Sequence, residues 1–145
     1  MISFFVAGRP IAQGSMTAFV VGRRQADGSV AGPRAVVTAS NKGMLDQWRR
    51  AVQDAAATAM VGIIMSDQPV AVCLSFVLPR GRTVTRPWPS VRPDADKLAR
   101  AILDALTGVV YVDDAQVVRL DARKRYEAGA SGPGVHIQVA ELGEE

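Results

Sequence analysis

The chain has 145 residues, enough for one domain with a core of its own and too few for two. Its 48% apolar and 21% charged residues are those of a globular protein, not of a disordered or fibrous one. A lone cysteine, Cys73, rules out an internal disulfide, and the net charge of +3 is too small to define a partner by itself.

The N-terminal run MISFFVAGRP is too short for a secretory core or a membrane span and has no basic flank, which points to the cytoplasm. Ile2–Val6 is rich in β-formers and ends at Gly8-Arg9-Pro10, so a strand is expected. Thr17–Val21 and Ala35–Thr38 read as two more, joined through an exposed hairpin loop holding Gly22, Asp27, Gly28, Ser29 and Gly32. Ser40 or Asn41 can cap a helix running to about Met60, with Leu45, Trp48, Val52, Ala55 and Ala59 on one apolar stripe. Trp48 is expected in the core.

Pro69 opens Val70–Leu78, an apolar, β-branched run expected as a buried central strand, with Cys73 a small buried thiol in it. A loop without periodicity follows from Pro79 to Asp94. A second helix is expected from about Asp96 to Thr107, closed by Gly108, and Gln116–Tyr126 and Val135–Val139 complete the strands. The expected order is β-β-β-α-β-α-β-β: one α/β domain over residues 1–145, a mixed sheet with two helices packed on it.

Cations gather in two stretches. Arg80, Arg82, Arg86, Arg92, Lys97 and Arg100 lie in the loop and second helix, and Arg119, Arg123, Lys124 and Arg125 in the following strand. Such grouping suits a polyanion. Trp88, between two prolines, is either a stacking residue or a packed loop anchor.

The chemistry concentrates between Arg92 and Tyr126. Asp94 and Asp96 flank Ala95; if that segment is extended, the two carboxylates point the same way and can share an ion. Asp96 also suits a helix N-cap, which leaves Asp94 unexplained. Leu98, Ala101, Ile102, Ala105 and Leu106 form the buried stripe, with Asp96, Arg100 and Asp104 spaced at i+4 along another flank. Asp113 and Asp114 repel each other at a strand entrance, a pattern that a cation between carboxylates would relieve. In that strand Asp114, Gln116, Val118, Leu120, Ala122, Lys124 and Tyr126 are expected to face inward, so Lys124 calls for an anion or a snorkelling route to water. Hard oxygen donors without a histidine or thiolate cluster point to Mg²⁺ or Mn²⁺. His136, the single histidine, reads as an ordinary sheet residue, so no Ser-His-Asp arrangement is available.

The run PDADKLARAILDALTGVVYVDDAQV resembles the signature of the RusA family of Holliday junction resolvases, D-x-D-N-L-x-K-x-x-x-D-A-L followed by D-D-x-Q-V and a lysine, here Lys124. Val6, Gly8, Pro10 and Gly14 are similar to the family's N-terminal pattern. The resemblance implies a homodimeric, Mg²⁺-dependent endonuclease acting on four-way DNA junctions in the cytoplasm of a bacterium or a phage-infected cell. It implies essential aspartates at Asp94, Asp96 and Asp114, with Asp113 and Asp104 at further acidic positions. Lys97 replaces the family's Asn, and Arg100 replaces its lysine. Arg keeps the charge and can clamp phosphate but cannot donate a proton near neutral pH.

On this reading Asp94, Asp96, Asp114 and Asp113 hold the metal, while Arg100 and Lys124 stabilise the phosphate. Arg80, Arg82, Arg86, Trp88, Arg92, Lys97, Arg119 and Arg123 hold DNA. Two rivals are a junction binder that does not cut and an Mg²⁺-dependent phosphatase or nuclease acting on small or unbranched substrates.

Overall fold

The computed structural model describes residues 1–14, 19–24, 30–36 and 39–143. They form β1 (Ile2–Ala7), β2 (Phe19–Arg24), β3 (Val30–Val36), α1 (Ala39–Ala59), β4 (Val70–Leu78), α2 (Ala95–Leu106), β5 (Val117–Tyr126) and β6 (Gly134–Glu141). The order is the expected one. β1, β6, β4 and β5 lie side by side in a mixed sheet, and β2 pairs with β3 in a separate two-stranded one. β4 and β5 are parallel because α2 carries the chain back between them; the other pairings are antiparallel. Thr17 and Thr38, expected at strand ends, and Asp27, Gly28 and Ser29 of the hairpin tip lie outside the described residues.

One face of the sheet is covered. Val70, Val72, Leu74, Phe76 and Leu78 of β4 are buried together with Val135, Ile137 and Val139 of β6 and Ile2 and Val6 of β1. α1 seals them with Trp48, Val52 and Ala56, and α2 with Leu98, Ala101, Ile102, Ala105 and Leu106. Each such aliphatic side chain removed from water contributes roughly 1.5–3 kcal/mol. Gly8 has φ +134°, and a Cβ there would stand 3.3 Å from the Trp48 ring, so glycine lets the chain leave β1 close against α1.

Several expectations need correction. Cys73 is exposed, because among the described residues both helices pack on the opposite face of β4. α1 begins at Ala39, so Ser40 and Asn41 lie inside its first turn and neither is the cap. The hairpin strands are displaced from those expected, which puts Gly22 and Gly32 inside β2 and β3 instead of in the connecting loop.

β5 is an edge strand that starts with a bulge: Val70 is in register with Val117, but Ala71 with Arg119. Val117 therefore packs on the core, and Val118, expected inside, is 62% exposed. Beyond the bulge the expected parity holds in register, although Leu120, expected in the core, is 44% exposed on this edge strand. Ala122, Lys124 and Tyr126 are in register with Leu74, Phe76 and Leu78.

Candidate metal and nucleic-acid site

α2 is entered through Pro93 and Asp94. Asp94 occupies the N-cap position with extended dihedrals (φ −73°, ψ 141°), yet its carboxylate caps no helix N–H. It pairs instead with Lys97 Nζ at 3.3 Å; both side chains are nearly half exposed, so the pair adds little stability. The expected roles are thus exchanged: Asp94, not Asp96, is the N-cap. Ala95 is already helical, so Asp94 and Asp96 do not alternate along an extended strand and the argument for their convergence fails. Asp96 and Arg100 both lie exposed on α2. The Asp94 carboxylate, held by Lys97 and by no helix N–H, can exchange that half-exposed partner for another cation.

Lys124 determines how this end is held. Its Nζ donates to the carbonyl oxygens of Val91 and Pro93, each at 2.9 Å. The inward lysine thus finds carbonyl partners, and it fastens the segment just before Asp94 to the end of β5.

A second acidic group sits at the other end of α2. Asp113 caps a 3₁₀ turn at Asp114–Gln116: its Oδ1 accepts the Ala115 N–H at 2.9 Å, and Gln116 Oε1 accepts the Asp113 N–H at 2.8 Å. Gln116 Nε2 also donates to Ser66 O (3.0 Å) and Gln68 O (2.9 Å). The Ala115 N–H bond holds the Asp113 carboxyl below its usual range. Asp114, exposed beside it, is pushed up by the Asp113 carboxylate, with Asp104 adding to the effect. Under these acids, Tyr111 is fully buried and its hydroxyl donates to Leu103 O at 3.0 Å. Burial raises its phenol far above the ordinary range, so it stays neutral.

Asp104 takes the Gln13 Nε2–H (2.5 Å), while Gln13 N donates to Lys97 O at 3.0 Å. This clips the segment after β1 along α2. Ten residues separate Asp94 from Asp104, about 15 Å at the 1.5 Å rise of a helix. The four predicted ligands therefore fall at the two ends of α2, Asp94 and Asp96 at one and Asp113 and Asp114 at the other. Among the described residues, no three His, Cys, Asp or Glu side chains converge on one ion.

The cationic residues also divide. Arg119 and Arg123 lie on the part of β5 in register with Ala71 and Ser75, the sheet face away from the helices, and Arg123 pairs with Asp121 at 3.0 Å. Arg80 is engaged within its loop, donating to Val84 O and Arg86 O and lying 5.1 Å from the Tyr126 ring centroid. Arg86 Nε donates to the Tyr126 hydroxyl at 2.8 Å. Arg82 and Arg92 are exposed, and Trp88 is 68% exposed beside a buried Pro89.

Gln13, Tyr111 and Gln116 are not among the expected site residues. Gln116 is readable in the sequence, since Asp113-x-x-Gln116 has capping-box spacing. Tyr111 carries no polar signal within its apolar run. Gln13 meets Asp104 across 91 positions, a contact that no local pattern encodes.

A family model described as Endodeoxyribonuclease RusA matches residues 22–140. Over 54 residues the chain is 35% identical to "Uncharacterized protein YqaN" of Bacillus subtilis (strain 168), a match covering 37% of this chain and 36% of that protein. The chain thus spans about a third of the curated relative's length.

Proposed function

Because this chain belongs to the RusA endodeoxyribonuclease family, we propose that it resolves four-way (Holliday) DNA junctions by paired nicks, as an Mg²⁺-dependent homodimer. The carrying observation is the division of acidic residues between the two ends of α2, with the Asp94 carboxylate spent on no helix N–H.

The donor set suits a hard divalent cation: it is all oxygen, and Asp114 lies beside the like charges of Asp113 and Asp104, whose repulsion a cation would relieve. One chain separates the two half-sets. A two-fold dimer that brought Asp94 and Asp96 of one protomer against Asp114 of the other, with Asp113 and Asp104 beside it, would complete two such sites by symmetry. Bound there, Mg²⁺ (or Mn²⁺) supplies a water of lowered pKa and offsets charge on the phosphate.

The chain's own groups do the rest. Exposed Arg100 clamps the phosphate bidentately. Lys124 acts through the loop by holding Pro93 and Asp94 in place. Arg82, Arg92, Lys97 and Trp88 meet the DNA around the site, while Arg119 and Arg123 serve a strand passing over the open sheet face. Among the described residues no helix is long and apolar enough to cross a membrane.

The test is a labelled four-way junction incubated with the protein in Mg²⁺ and in EDTA, beside Asp94→Asn. Symmetric nicks that require Mg²⁺ and vanish in the variant are expected. Tight binding without nicks, even in Mn²⁺, would leave a junction-binding module, and equal cutting of linear duplex would remove the branched-DNA specificity.

A further inference from the structure

Beside Asp94, between the segment after β1 and the proline-rich loop, lies an open groove of about 400 Å³. Its walls are apolar, formed chiefly by Ile11, Met44, Leu78 and Val84. Its charged lining residues are Arg9, Arg86 and Arg92, and among the described residues no acid lines it. Tyr126 and Pro93 also line it, and Pro93 O accepts from Lys124 Nζ. The Tyr126 ring is held there by the Arg86 Nε bond and the overlying Arg80 guanidinium.

Apolar walls under a cationic rim suit a ligand that is flat and apolar at one end and anionic at the other. An unpaired nucleotide has that shape: the base enters the cleft and its phosphate meets the arginines. A second copy of this chain suits it less, because a net charge of +3 does not favour docking on three arginines. A larger depression, about 510 Å³ and lined by Gln68, Pro69, Glu141, Leu142 and Gly143, lies at the other end of β4 and has a glutamate as its charged residue. It offers no anion site.

We propose that this groove binds one unpaired nucleotide of the DNA substrate, next to the strand presented to Asp94. The inference rests on the nuclease reading and adds a location for a base outside the duplex.

The test uses the full chain and a short single-stranded oligonucleotide carrying one 4-thiothymidine, irradiated and mapped by mass spectrometry. Crosslinks are expected on the groove segments around Arg9–Ala12, Met44 and Tyr126. Met44→Glu places an acid on an exposed helix position that tolerates it, and should lower the crosslink yield about ten-fold by repelling phosphate. Arg9→Ala should lower it with the melting temperature unchanged. Retention of a four-way junction in a gel is read in parallel. Crosslinks that map to the open face around Arg119–Arg123, or a yield indifferent to Met44→Glu, would overturn the groove while retained junction binding left the nuclease reading standing. Failure of both readouts would remove both.

Discussion

Lys124 Nζ lies 2.9 Å from the carbonyl oxygen of Pro93, the residue immediately before the N-cap of α2, and bonds Val91 O at the same distance. The end of β5 and the start of α2 are thereby tied through a single ammonium. Lysine suits the position because its compact head directs several donors at two carbonyls, whereas a planar guanidinium has a different reach and donor geometry.

Lys124→Met should therefore cost about 1.5–3 kcal/mol, the range for hydrogen bonds to a charged group, and raise hydrogen exchange at residues 91–94. Junction cleavage should fall because Asp94 is no longer held. Lys124→Arg separates the roles. A charge-only function predicts rescue by arginine, whereas a clasp predicts that exchange stays high and cleavage low. Full activity in Lys124→Arg would refute the clasp.

Gln116 ties three backbone groups together: Asp113 N–H, Ser66 O and Gln68 O. Gln116→Ala should destabilise the fold by about 1–2 kcal/mol, a melting drop of roughly 2–8 °C for a chain of this size. Asp113→Asn keeps a capping oxygen and should melt close to wild type. It should also cleave far better than Asp114→Asn, since the Asp113 carboxylate already serves the 3₁₀ turn. Equal loss in the two Asn variants would give Asp113 a direct role.

The element order is legible in the sequence because β4 and α2 carry unmixed patterns: an apolar run bounded by Pro69, and Leu98, Ala101, Ile102, Ala105 and Leu106 at helical spacing. The acidic positions are legible as residues but not as a geometry. Whether Asp94 or Asp96 caps α2 turns on a small shift in where the helix begins, and propensity does not resolve that. The bulge at Val118 turns Val117 instead of Val118 toward the core and leaves the parity of the rest of β5 as expected; it shows only in the pairing with β4. Lys124 stands out as an inward charge, but its partners are carbonyls 31 and 33 residues away.

The Asp113–Asp114 pair carries a pH signature of opposite signs. Asp113 is held low, so its share of stability exists above the ordinary carboxylate pKa and disappears as pH falls through its lowered value. Asp114 is pushed up by Asp113, so its share is present at low pH and is lost as pH rises through the raised value. A cation needs Asp114 ionised. The rise in melting temperature produced by Mn²⁺ should thus fade on acidification at a higher pH than an isolated aspartate would give. Asp113→Asn removes the largest cause and should move that fade to lower pH; an unmoved profile would separate Asp114 from the cation.

The two ends of α2 supply a direct test of shared sites. In a homodimer of Asp94→Asn every site lacks one ligand, and the same holds for Asp114→Asn, so neither should nick a junction. If Asp94 of one protomer works with Asp114 of its partner, mixing the variants creates heterodimers with one site doubly altered and the other fully intact. Mixed protein, refolded together so that protomers exchange, should then regain single nicks without the paired second cut. Sites built within one chain predict no recovery at any mixing ratio, because each chain would carry its own defect. Recovery would place the catalytic unit in the dimer, and persistent inactivity of a demonstrated heterodimer would require α2 to rearrange within one protomer before metal could bind.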